Sequence, residues 1–167
     1  GGGMINVASG ATFEMRGGLI KDCHVTSTSY DTANSLLGRG GALYVAPNAV
    51  FKMSDGEIKN CSATVAGGAA FVSGRMEMSG GKIDGCSVSG LDDGSGTVKA
   101  KGGAVYLYNG SHFTMTGGEI GGNTLGNVAD MRGAGVYAAG DTNVTLGGTA
   151  KITGNTNGDK KANNLFL

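Results

Sequence analysis

The stretch Gly102–Thr124, GGAVYLYNGSHFTMTGGEIGGNT, decides how the rest of the chain is read. It contains three short apolar segments, Val105-Tyr106-Leu107, Phe113-Thr114-Met115 and Glu119-Ile120-Gly121, separated by glycines and polar turn residues. The same text recurs on either side. Gly40–Ser62 reads GGALYVAPNAVFKMSDGEIKNCS, and Gly67–Ser87 reads GGAAFVSGRMEMSGGKIDGCS. Gly2–His24 is an earlier copy and Gly133–Thr156 a later, drifted one. Self-similarity on this scale indicates stacked repeats.

Aligning the copies gives columns with the two-residue period of a strand. In the first segment Ile5, Leu43, Ala70, Val105 and Val136 form one apolar column, and Val7, Val45, Val72, Leu107 and Ala138 another. Both should face an interior. The residues between them (Asn6, Tyr44, Phe71, Tyr106 and Tyr137) should face out. In the second segment Phe13/Met15, Phe51/Met53, Met76/Met78, Phe113/Met115 and Val144/Leu146 should point inward, around the polar Glu14, Lys52, Glu77, Thr114 and Thr145. In the third, Ile20, Ile58, Ile83, Ile120 and Ile152 share one position. Three short strands per repeat, each with one apolar side, wind into a coil. The fold predicted is all-β: a parallel β-helix, or solenoid, of about five coils with three short strands each.

Composition agrees. The 34 glycines of 167 residues come with one proline and regular Val, Ile, Phe and Met, which excludes collagen and argues against disorder. Glycine at this density also weakens a helical reading. Pairs such as Gly80-Gly81 and Gly117-Gly118 mark a corner where a Cβ is excluded. The formal net charge is zero, with no basic stripe, so no nucleic-acid partner is expected. No apolar run suits membrane insertion. Residues 1–167 read as one β-helix domain, and both ends read as cut, as in a piece of a longer chain. Inserts at 26–39, 89–101 and 126–132 all fall before the glycines that open the first strand. They should crowd one side, either as a binding face or as tolerated loops.

GGAVYL, FTMTGGEI and ITGNTNGDKKANNLFL resemble the repeats of right-handed parallel β-helix proteins on bacterial and archaeal cell surfaces. These are adhesin-like and share the pectate-lyase-like fold. The resemblance implies an extracellular or cell-surface location, a structural or adhesive role, and no catalytic residues. The alternative is a fragment of a polysaccharide lyase or glycoside hydrolase of that fold.

Cys23, Cys61, Cys86, Asn123 and Asn155 occupy one column and read as an internal ladder. Stacked neighbours fall within disulfide range, but their Cβ vectors run parallel; zinc-type spacing is missing. Neither a metal nor a cofactor is expected. Tyr44, Phe71, Tyr106 and Tyr137, with Tyr108 nearby, read as an exposed aromatic ladder. It either binds a polysaccharide or host or cell-surface glycan, or stabilises the sheet by cross-strand packing. Asp92-Asp93 lies in a loop without calcium-loop spacing. Exposed strand edges invite end-to-end self-association.

Overall fold

The computed structural model describes Gly3 and residues 5–27, 38–92 and 96–167. All regular structure among these residues is strand, with no helix. The strands assemble into several sheets, and nearly all pairings are parallel.

Each repeat contributes the same strands to the same sheets, in sequence order. The first sheet runs Ile5–Val7, Leu43–Val45, Ala70–Val72, Val105–Leu107, Val136–Ala138 and Leu165–Phe166. Its register follows the repeat: Ile5 pairs Leu43, then Ala70, Val105, Val136 and Leu165. In the second sheet Phe13, Phe51, Met76, Phe113 and Val144 align. So do Ile20, Ile58, Ile83, Ile120 and Ile152. The cause is the apolar alternation: a one-residue slip would turn every inward side chain to water, so register is strongly fixed.

Two details differ from the three-strand expectation. The second and third segments run on as single ten-residue strands in Thr12–Lys21 and Val50–Lys59, bent at the corner. A further two-residue strand follows each of the first four ladder residues, at His24–Val25, Ser62–Ala63, Ser87–Val88 and Thr124–Leu125. Two residues are too few for alternation to register in sequence.

The corner glycines divide the work. The second of each pair has positive φ, +78° at Gly81 and +83° at Gly118. In two pairs the first is closed to a side chain sterically: a Cβ on Gly80 would lie 2.1 Å from the Ser54 carbonyl oxygen, and one on Gly117 2.3 Å from that of Ser79.

The interior is a single apolar core of stacked columns, with Leu43, Phe51, Ile58, Met76, Ile83, Leu107, Phe113 and Ile120 all buried. Burial weakens towards the ends, where Ile5, Phe13, Ile20, Val144 and Ile152 are half-buried. Leu146, expected inside, is 45% exposed. Its strand, Asn143–Leu146, is the last of its row, so one flank of the side chain has nothing stacked on it.

The described parts of the second and third inserts pair with one another. Leu91–Asp92 folds back antiparallel on Val98–Lys101, which pairs in parallel with Asp130–Arg132. A small second core of Ala63, Val88, Ala100, Leu125 and Ala134 lies beside them. Residues 28–37 of the first insert lie outside the described residues.

The turn between the first two strands ends on Ala11, Ala49 and Ser111, each donating its N–H to the carbonyl three residues back. Ser111 is buried, and its Oγ has no hydrogen-bond partner. Ser111→Ala should therefore raise the unfolding free energy by about 1 kcal/mol in urea titration. A loss of similar size would show that the hydroxyl is satisfied.

Candidate functional site

The polar ladder begins with a backbone rule that sequence reading missed. The residue before each ladder side chain has positive φ: Asp22 at 56°, Asn60 at 53°, Gly85 at 63°, Gly122 at 66° and Gly154 at 69°. Glycine reaches this region freely, and Asp and Asn are the residues that best tolerate it. The column Asp-Asn-Gly-Gly-Gly was the available signal. The kink turns the next side chain inward, where Cys61, Cys86, Asn123 and Asn155 are fully buried and Cys23 nearly so.

All five side chains make the same local bond, donating to the carbonyl two residues back. The distances are 3.3 Å for Cys23, 3.2 Å for Cys61, 3.5 Å for Cys86, 2.9 Å for Asn123 and 3.1 Å for Asn155. The asparagines add two bonds between repeats. Asn123 Nδ2 donates to the Ile83 carbonyl at 3.1 Å, and Asn155 Nδ2 to that of Ile120 at 2.9 Å. Asn123 Oδ1 accepts the Cys86 N–H at 2.9 Å, and Asn155 Oδ1 the Asn123 N–H at 3.1 Å. The cysteines repeat the pattern with sulfur in place of the amide: the Cys61 sulfur takes the Cys23 N–H, and the Cys86 sulfur that of Cys61.

All three cysteines are thiols. Cys86, bonded to Cys61 and buried, is held far above the ordinary thiol range. Burial pushes Cys23 up to about 11. Hydrogen bonding from the Cys86 thiol, and then from Cys23, draws Cys61 down to about 6. Among the described residues no group of three or more His, Cys, Asp and Glu side chains is arranged to hold a metal ion.

The aromatic column forms as a stack but is not an exposed one. Ring centroids lie 6.0 Å apart for Tyr44–Phe71, 4.9 Å for Phe71–Tyr106, 5.1 Å for Tyr106–Tyr137 and 5.4 Å for Tyr137–Phe166. Yet Tyr44 and Tyr137 are only 9% exposed and Phe71 2%, while Tyr106 is half-buried. The covering comes from the segments that join repeats. Arg39, Ala66, Lys101 and Arg132 are linked in register outside the column. Their cations reach over a ring one repeat on: Arg39 over Phe71 at 5.2 Å, Lys101 over Tyr137 at 5.1 Å and Arg132 over Phe166 at 5.0 Å. Ala66 offers no cation, and there the Phe71–Tyr106 stack is tightest, with rings 6° from parallel. Strand alternation says which way a side chain points, not what lies on top of it. Tyr108 alone of the five is openly exposed, at 48%, its ring 5.8 Å from Phe71.

Two further surfaces are polar. An open groove of about 500 Å³ crosses the second sheet, lined by Glu14, Arg16, Lys52, Arg75, Glu77 and Thr114 among others. Its charges are paired: Arg16 with Glu14, and both Lys52 and Arg75 with Glu77 at 3.6 Å. His24 Nδ1 lies 2.8 Å from Ser62 Oγ. Asp92 Oδ1 accepts the Gly96 N–H at 3.0 Å, a turn bond; Asp93 lies outside the described residues.

No protein-family model, no curated protein and no solved structure matches the chain.

Asn123→Ala should cost roughly 2–4 kcal/mol, because it strands the buried Cys86 N–H and the Ile83 and Gly121 carbonyls. Cys86→Asn should be tolerated within about 1 kcal/mol, since an amide there can make the same bonds. Equal losses in chemical denaturation would show that Cys and Asn are not interchangeable. Titration of unfolded protein with a thiol reagent should count all three cysteines; a count of one would reveal a disulfide.

Proposed function

We infer that the chain is a right-handed parallel β-helix acting as a non-enzymatic structural and adhesive module of a bacterial or archaeal surface protein. It works outside the cell as a stiff spacer that touches glycans. The observation that carries the reading is the unbroken in-register stacking of like residues. One hydrogen-bonded ladder and one apolar core run through every repeat, so the module resists bending and shear as a unit. The outer charges support a structural role: they pair with neighbours on the same or adjacent strands, as in Lys52–Glu77, Lys59–Glu57 and Lys82–Asp84.

For glycan contact, Tyr108 is the ring available to a sugar face. Phe71 backs it, while Tyr44, Tyr106 and Tyr137 fix the column behind it. The groove at Arg16, Lys52 and Arg75 adds hydrogen-bond donors for a chain lying across the strands.

A glycan array probed with the isolated protein tests this. The expected result is retention on a defined glycan, at least tenfold weaker in Tyr108→Ala with an unchanged melting temperature. Equal retention by parent and variant removes Tyr108 from the contact. Shortened or unsaturated sugar products released from the array would replace the adhesive reading with the lyase or hydrolase one.

A further inference from the structure

The ladder is directional. Each side-chain oxygen or sulfur accepts the backbone N–H of the repeat before it. The N–H of the last ladder residue, Asn155, therefore needs an acceptor from beyond its own repeat. It has one that is not a ladder residue. Asn164 Oδ1 accepts both Asn155 N–H at 3.0 Å and Asn155 Nδ2–H at 3.1 Å.

Asn164 immediately precedes Leu165, which pairs in register with Val136. The residues at the same step in the four preceding repeats are Ala42, Ala69, Ala104 and Gly135. At that step a longer side chain collides with the ladder: a Cβ on Gly135 would already lie 2.8 Å from Asn155 Nδ2. Asn164 Oδ1 stands over Asn155 where the acceptor of a further ladder residue would come.

The backbone closes the same corner. Thr156 bridges Thr124 in parallel on one side and Ala162 antiparallel on the other. The chain turns back through residues 157–161, with Asn157 Oδ1 and carbonyl bonds across the turn, and Asn163 N–H reaches the Asn155 carbonyl at 2.9 Å. Asn163 Oδ1 then accepts Ala134 N–H at 3.1 Å. Gly158 rests on Asn127, where a Cβ would come within 2.3 Å of the Asn127 Cα.

We propose that residues 157–164 form a plug that closes the ladder corner, so that no second copy of this chain can add its own Cys23 corner over Asn155. The proposal concerns an interaction surface and stands apart from the glycan reading. The edge strand Leu165–Phe166 remains open, with Phe166 and Leu167 exposed, so the plug acts at the corner and not across the whole end.

Asn164 serves as an acceptor only, so aspartate can replace it and alanine cannot. We expect Asn164→Ala to lower hydrogen-exchange protection of the Asn155 amide at least tenfold and to sediment as concentration-dependent oligomers. Asn164→Asp should match the monomeric parent in both. If Asn164→Ala does not fold, Gly158→Val lifts the turn from outside the core and should expose the Asn155 amide in the same way. The proposal is overturned if the Asn155 amide stays protected in the folded variants, if Asp behaves as Ala does, or if the parent already associates and cross-links between Cys23 and Asn155 corners.

Discussion

Backbone hydrogen bonding between successive repeats is the constraint from which the rest follows. Once the first-sheet strands pair in register, every side chain sits about 4.8 Å from its own equivalent. A position then tolerates only residues that are compatible with copies of themselves. Aliphatic groups meet that test in the interior, and Ile58, Ile83 and Ile120 stand directly over one another. Flat rings meet it outside, as in the Tyr44-to-Phe166 stack. Amides meet it by donating one way and accepting the other. Charges do not, and the outer column resolves this by alternating Glu14, Lys52 and Glu77 along the register. Where like charges do align, as Lys21 with Lys59, each is met locally, by Asp22 at 3.6 Å and Glu57 at 3.2 Å.

This constraint also explains what could be read in advance. Positions set by self-compatibility appear in the sequence as columns, so the parallel register, the isoleucine row and the Cys/Asn ladder were all legible. Positions set by what lies outside the repeat were not. The rings of Phe71 and Tyr137 point outward as alternation requires, but they are buried because Arg39 and Lys101 reach over them from the connecting segments, and alternation within a strand does not show that cover. Leu146 obeys its column and is still exposed, because stacking needs two neighbours and it has one. The two-residue strands such as Ser87–Val88 follow from the left-handed kink before each ladder residue, and that rule shows in sequence only as a column of Asp, Asn and Gly.

The exchange of Cys for Asn is a chemical equivalence of limited scope. Both donate to the carbonyl two residues back, which is the bond that holds the kink. An amide carries two N–H donors and a strong acceptor, whereas a thiol has one weak donor and a weak acceptor. The thiol rows accordingly make longer contacts. The Cys86–Ile58 carbonyl distance is 4.0 Å where Asn123 reaches Ile83 at 3.1 Å. Sulfur keeps the rows closely packed, and asparagine adds the bond that ties one repeat to the next. The ladder is therefore stiffer at the Asn123–Asn155 end than at the Cys23–Cys61 end.

That gradient runs in the direction the ladder's polarity favours. Each rung accepts from the repeat before it and relies on the repeat after it to take its N–H. At the Cys23 end the ladder presents a sulfur, which is a weak acceptor. At the Asn155 end it is a backbone N–H in a fully buried residue, and leaving that unmet costs about 1–3 kcal/mol. A strong acceptor must therefore stand over Asn155. Asn164 is that acceptor, drawn from a strand position that takes only alanine or glycine in the four preceding repeats. The same polarity that lets identical repeats join thus makes the two ends chemically unlike.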